Sequence, residues 1–471
     1  MDEIIEIQEE YVPSITKINF SLGNLANGLL NGFVFANLTF FYQIKLGLSA
    51  ELLGIGWLIF AIWNTLNDPL ASYLIDNTRT KIGRRIPYIR YGSFLYGLAF
   101  IFCWFPIAPL NNKIALFFNF LAALFILDTM FTFVGACYFS LPNEIAVTAK
   151  QRASIGFYNA IAVFGNLVLG VILPVILFTG HEEGLPSYFG PAIIAIGLTC
   201  ACTLFITSFF IKENMFAQLQ PHEGLIEGLK LTFKNKPFWI LMISMFCIYL
   251  VTPIISTGFL YYIEFVVAGQ TIIFFILSFI IGIVIGLILT IFMIPKWHPK
   301  KTAFINLVIV SIGLAILFVV GRNAILSAIP YFLIGFGFAG GMVAVPVIIG
   351  DTIDNDELIT GKRREAIYGG VNALVSKPAI SIANWIFLLT LISFGFNANN
   401  QNQTDIALFG VLIAISAIPA ILIGISAIVL YLFYPLDGPE WRKKKNYIME
   451  LHEKKEKEYV QKLVMEGGLK T

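Results

Sequence analysis

Charge is scarce in this chain. Of its 471 residues only 13% are charged and 58% are hydrophobic, and the mean hydropathy is +0.81. Soluble domains carry roughly a quarter charged residues, so the deficit excludes an ordinary water-soluble globule. Histidine is nearly absent. His181, His222, His298 and His452 lie far apart in loops or the tail, which excludes a sequence-local metal-ligand pair or a base beside a nucleophile. The five cysteines (Cys103, Cys137, Cys200, Cys202, Cys247) sit inside apolar runs with no Cys-x-x-Cys pair, so they read as small packing residues. No Gly-x-x-x-x-Gly-Lys-Ser/Thr stretch is present, which removes the usual phosphate cradle and with it direct drive by ATP. The chain therefore reads as a non-enzyme without a resident cofactor or metal, apart from a transported Na⁺. Its acidic first 17 residues lack a basic segment leading into an apolar core, so no cleaved signal peptide is expected.

What is present is apolar sequence in runs longer than the ~20 residues that cross a bilayer. Twelve can be counted, at 18–44, 51–75, 88–110, 113–142, 153–179, 188–211, 237–265, 271–295, 302–320, 325–350, 366–394 and 406–434. The fold class is all-α and polytopic, twelve transmembrane helices in two six-helix bundles. The expected division is an N-terminal segment 1–17, a first bundle 18–211, a linker 212–236, a second bundle 237–434 and a tail 435–471. Within the linker, Leu225–Phe233 has the pattern of a short amphipathic surface helix. Alternate loops hold Arg79 to Arg90, Lys150 and Arg152, Lys212 to Lys236, Lys296 to Lys301, and Lys362 to Arg364; the others offer only Lys45, Lys113 and Arg322. By the positive-inside rule both termini are cytoplasmic in a cell membrane. The tail reads as a solvated helix, with contact to anionic lipid as the alternative. Gly282 with Gly286, and Gly335, Gly337, Gly340 and Gly341, are positions where helix backbones can approach closely. The partners expected are the bilayer and a small-molecule substrate, with no nucleic acid, for a monomeric chain.

Four ionisable residues fall clearly inside spans: Asp68, Asp128, Glu264 and Lys377. Such residues are expensive in hydrocarbon and mark functional sites by default. Pro69 follows Asp68 and removes a backbone donor, which predicts a bend or break at the acid. Lys377 lies about eleven residues into its span, ~16 Å at helical rise, near the depth of Asp68. The two are plausible partners, one from each half, either as a coupling pair or as a static bridge. Asn64 shares a helix face with Asp68, and Asn67 adjoins it. One carboxylate with two amides can carry H⁺ or hold Na⁺; hard cations want more oxygens, which favours H⁺. Asn24, Asn27 and Asn31 form a polar stripe in the first span. With Asp128, Tyr138, Asn159 and Asn372 they are the substrate-binding candidates, interhelical hydrogen bonding being the alternative for each. Asp76, Arg84, Arg85, Glu144, Arg152, Asp354 and Arg363 are candidates for a cytoplasmic gate between the halves.

Asn67-Asp68-Pro69 running through Asp76, Arg79, Gly83, Arg84, Arg85 and Pro87 to Tyr88 carries a family resemblance. So do Ser140-Leu141-Pro142, and the stretch from Asp351 and Asp354 through Gly361, Lys362, Arg363, Arg364 and Glu365 to Lys377. The chain resembles the glycoside–pentoside–hexuronide:cation symporters, the melibiose-permease-like branch of the major facilitator superfamily. The resemblance implies alternating access, with Asp68 and Lys377 as the cation-site acid and its lysine. It also exposes departures: Asn64 stands where melibiose-type members have a second helix-two aspartate. Gly28, Val134 and Asn159 stand where they have sugar-binding charges. The expected function is cation-coupled symport of a small organic solute, a sugar or glycoside. A lysolipid or other amphiphile carrier is the alternative, and a non-transporting receptor or scaffold a remoter one.

Overall fold

The computed structural model of the protein describes residues 12–146, 149–180, 184–211, 235–267, 272–361 and 365–465. The proposed surface helix at 225–233 lies outside them. Twelve long helices follow in order. The first six are α1 (Ser14–Phe40, continued by a π-helical turn Phe41–Lys45), α2 (Ala50–Asn77), α3 (Ile86–Trp104), α4 (Lys113–Ile145), α5 (Ala149–Phe178) and α6 (Phe189–Thr207). The second six begin with α7 (Lys236–Tyr261, with a π turn Tyr262–Val266), α8 (Ile272–Trp297) and α9 (Pro299–Val320). They end with α10 (Ala328–Thr360), α11 (Glu365–Ser393) and α12 (Asp405–Leu412, a π turn Ile413–Ala417, then Ile418–Phe433). A last helix, α13 (Gly438–Met465), forms the tail.

Side-chain caps start several of them. Ser49 accepts from Leu52 N–H, Asn112 from Ala115 N–H and Thr404 from Ala407 N–H, each satisfying a donor with no partner inside its helix. Among the described residues, ten helices are long and apolar enough to cross a membrane by length and composition. The other two spans, α1 and α2, have 27 and 28 residues but are diluted by asparagines. Their length and their place in the packing make them spans as well. On α2 the large apolar residues Ile62, Leu66, Leu70 and Tyr73 are exposed, as a face toward lipid should be.

The halves pack internally in the same way. In the first, α3 lies on α4 and α6, α1 on α5 and α6, and α2 on α4. In the second, α10 lies on α8 and α9, while α12 and α11 flank α7. A side chain at Gly282 or Gly286 would drive into the carbonyls of Phe332 or Phe336, and one at Gly335 into that of Phe279. Only glycine permits α8 and α10 to lie this close. Between the halves, α2 runs along α11 and α1 meets α7. At one end Tyr261 donates to Gln43 at 2.5 Å, and Tyr261 stacks edge-on to Phe40 with centroids 5.0 Å apart.

Three expectations need correction. Pro69 does not break α2, which is continuous through it. Span ten does not stop at residue 350: α10 runs ten residues further, to Thr360, and ends at Gly361 in the left-handed conformation (φ 73°) with its N–H on Glu357 O. The tail is not simply solvated. Trp441 and Ile448 of α13 are buried, Lys445 pairs with Asp351 of α10 at 2.5 Å, and His452 with Glu357 at 2.7 Å.

Candidate functional site

Asp68 and Lys377 meet. Lys377 Nζ donates to Asp68 Oδ1 across the α2–α11 seam, so one side chain of each half holds the other. Neither is sealed, the side chains being 29% and 16% exposed, which leaves the pair open to exchange of partners. A second carboxylate lies beside them. Asn67 Nδ2 donates both to Asp128 Oδ2 (3.0 Å) and to Thr132 Oγ1 (3.1 Å), and Thr132 Oγ1 donates to Asp68 Oδ1 (3.2 Å). The fold thus brings α2, α4 and α11 together around two carboxylates, one ammonium, one hydroxyl and one amide. Asn64 is buried on the same side of α2, and its Oδ1 accepts no hydrogen bond. Trp63, next to it, stacks on Phe125 of α4 at 4.9 Å, fixing the two helices in register.

Asp128, a substrate-side candidate by sequence, is linked to the Asp68 cluster through Asn67. Thr132 was not anticipated. Intramembrane threonines ordinarily bond a carbonyl one turn back, as Thr129 and Thr65 do here, and only the packing of α4 on α2 distinguishes Thr132. Of the other candidates, Asn24 Nδ2 donates to Asn159 Oδ1 at 2.7 Å, linking α1 to α5. Asn27 and Asn31 each carry a buried carbonyl oxygen without a partner. Asn372 Oδ1 accepts from Tyr249 at 2.9 Å. Tyr138 is buried and shares a 2.8 Å hydrogen bond with Thr207 of α6, with Gly23 close against its hydroxyl. Glu264 accepts from Gly180 N–H at 3.2 Å, at the end closed by Gln43 and Tyr261.

Of the gate candidates, Arg84 is buried, and Arg85 supplies the carbonyl that caps the start of α3. Arg152 Nε donates to Ala146 O within its own half. Arg363 and the side chains of Asp76 and Glu144 lie outside what the structure describes. Asp354 brings a carboxylate oxygen within 4.8 Å of ligand atoms of Glu357 and His452.

A chamber of about 890 Å³ lies between α1 and α5 on one side and mainly α7 to α12 on the other. Ser376, adjacent to Lys377, lines it. A charged pair bridging the two halves, with a cavity lined by helices of both, is the arrangement expected of an alternating-access carrier.

The comparisons agree with that arrangement. The uncharacterized symporter YnaJ of Bacillus subtilis (strain 168) is 27% identical over 463 residues, covering 95% of this chain and 96% of its own. The isoprimeverose transporter of Lactiplantibacillus pentosus is 22% identical, covering 92% and 91%. Among solved structures, the D-xylose–proton symporter superposes with a TM-score of 0.63 at 15% identity, covering 90% of this chain and 98% of that one. A bacterial homologue of the human lysosomal transporter Spinster, inward-facing and unoccupied, gives 0.64 at 13%, covering 89% and 96%; at such identities the likeness is one of fold. The MFS/sugar transport protein profile matches residues 19–438, and the chain belongs to that family of major facilitator transporters.

Proposed function

We propose that the protein is a cation-coupled symporter for a sugar or glycoside, in which Asp68, Asp128, Asn67, Thr132 and Lys377 form the coupling site. The observation that carries this is the Asp68–Lys377 pair between halves, with Asp128 tied to it through Asn67. Relatives named as an isoprimeverose transporter and as a putative glycoside/cation symporter (Escherichia coli, strain K12) support the solute class. Two carboxylates against one ammonium leave a single negative charge inside hydrocarbon, a costly state that one monovalent cation or proton removes. The oxygen inventory is also richer than the sequence indicated: two carboxylates, the Thr132 hydroxyl and the unused Asn64 oxygen suit Na⁺ as well as H⁺. Substrate uptake into proteoliposomes, with H⁺ and Na⁺ gradients imposed separately, tests the reading. Accumulation under neither gradient would overturn it.

Asp128 distinguishes the ions. Asp128→Asn removes one oxygen charge while keeping size, leaving Asp68 and Lys377 balanced. The expected result is a drop of roughly tenfold or more in Na⁺-driven uptake, since cation affinity follows ligand charge. H⁺-driven uptake through Asp68 should be affected less. Equal Na⁺-driven uptake in variant and parent would remove Asp128 from the site.

We also propose that both termini are cytoplasmic and that Asp76, Arg84, Arg85, Glu144, Arg152, Asp354 and Arg363 latch the halves there in one access state. Exposed pairs of this kind contribute about 1 kcal/mol at most, which suits a gate that must open. In a background lacking the native cysteines, Asn402→Cys should react with an impermeant maleimide added outside intact cells. Ile82→Cys, in the basic loop, should not. Strong labelling at position 82 alone would invert the topology.

A further inference from the structure

The tail helix α13 lies along the end of α10 in register. Trp441, Lys445, Ile448 and His452 recur at helical spacing on one face of α13; Trp441 and Ile448 are buried, while Lys445 and His452 pair with α10. The step from Lys445 to His452 covers about 10 Å at helical rise, and the step from Asp351 to Glu357 on α10 about 9 Å, so the two rungs match. Their chemistry differs. Lys445 with Asp351 is an ion pair, which two groups complete. At the other rung a third group joins. A carboxylate oxygen of Asp354, one of Glu357 and a ring nitrogen of His452 all lie within 4.8 Å of one another, and His452 Nε2 is 2.7 Å from Glu357 Oε2.

Ligand atoms around a tetrahedral Zn²⁺ stand roughly 3.3 Å apart, given bonds of about 2.0–2.1 Å. Small side-chain rotations bring the three atoms to that spacing. Asp354 and Glu357 are three residues apart and share a face of α10. Glu357 lies in the last turn of α10, the carbonyl end that favours positive charge, and that turn has no basic residue of its own. The Glu357 side chain is 4% exposed and that of His452 30%, which leaves one side open for a water ligand. One imidazole with two carboxylates suits Zn²⁺ better than Mg²⁺ or Ca²⁺, which take oxygen ligands alone. From this geometry we infer that Asp354, Glu357 and His452 form a Zn²⁺ site that clamps α13 to α10. The sequence hides it, because His452 stands 95 residues from Glu357. Asp354 is also a gate candidate, so an ion here holds that carboxylate within its own half.

The test uses the full chain in lipid nanodiscs, freed of any purification tag, stripped with a chelator and titrated calorimetrically with Zn²⁺. One ion should bind per chain. His452→Gln keeps a hydrogen-bond partner for Glu357 but removes the imidazole, and Glu357→Gln keeps size but removes the charge. Loss of an outer-shell partner alone weakens metal sites roughly 10–100-fold, so each of these losses of a ligand should weaken Zn²⁺ binding at least tenfold. The two substitutions lie on different helices, and either decides the matter if the other fails to fold. A variant with His181, His222 and His298 all replaced by Ala should bind as the parent does. For the clamp itself, spin labels at Ile359→Cys and Tyr447→Cys, both exposed positions, go into a background lacking the native cysteines. Their distance distribution should narrow when Zn²⁺ is added, and not in His452→Gln. Absence of Zn²⁺ binding by the parent overturns the site. So does binding that survives His452→Gln and Glu357→Gln, or that disappears with the other three histidines. Bound Zn²⁺ that leaves the distance distribution unchanged overturns the clamp.

Discussion

Asp68→Asn is expected to reduce solute accumulation to the level of simple equilibration, an inside-to-outside ratio of one, under either imposed gradient. The substitution preserves size and removes the charge that Lys377 Nζ and Thr132 Oγ1 now contact. With Asp68 neutral, Lys377 loses the acid it contacts across the seam, and the cluster loses the carboxylate whose partner can change as the halves move. A tenfold cation gradient is worth about 1.4 kcal/mol per ion, enough for a tenfold accumulation when one ion moves with one solute. That free energy reaches the solute only if the cation binds the two access states differently. Downhill exchange of labelled for unlabelled solute should continue, because the Asp68–Lys377 ion pair no longer opposes the rocking of the halves. The measurement is uptake against a gradient beside equilibrium exchange in the same proteoliposomes. If Asp68→Asn concentrates solute as the parent does, the Asp68–Lys377 contact is a static bridge and coupling lies elsewhere.

The spans were legible in the sequence because a bilayer imposes a minimum apolar length that nothing else in a chain imitates. Their ends were less so. Apolarity reports membrane thickness, not helix length, so α10 continues past residue 350 through Asp351, Asp356 and Glu357 into a segment that hydropathy reads as loop. That extension gives α13 a surface to dock on. The pairs Lys445–Asp351 and His452–Glu357 join residues 94 and 95 apart, and no periodicity in the tail announces them. At the proposed coupling site, Asp68 and Lys377 were legible because charge in an apolar run demands a partner. Asp128 was visible for the same reason, but its partner was not: its link to Asn67 depends on how α4 rests on α2. Thr132 shows the general limit. A threonine in a span has a bond available within its own helix, so its sequence context does not reveal that Thr132 instead contacts Asp68.

Lys377→Ala should be the most damaging single change, and Asp68→Asn should partly repair it. Removing the ammonium leaves Asp68 and Asp128 as two carboxylates in one cluster, linked through Asn67 and Thr132. Both cannot stay ionised in hydrocarbon, so the site must take up two positive charges or distort. Breaking a buried pair from one side costs about 3–5 kcal/mol in the fully buried limit; partial exposure here brings the figure below that. Solute uptake should fall roughly a hundredfold or more, and the purified protein should unfold at a lower temperature than the parent. In Lys377→Ala with Asp68→Asn only Asp128 keeps its charge, the same single excess negative charge that the parent carries. Stability should then recover toward the parent and equilibrium exchange should return, while accumulation stays absent because the coupling acid is gone. The two residues touch, so the effects of the single changes should not add. The comparison needs four proteins, each measured for thermal unfolding, exchange and accumulation. Strict additivity across them, or a double variant less stable than Lys377→Ala, would show that the ammonium does not serve to balance the two carboxylates.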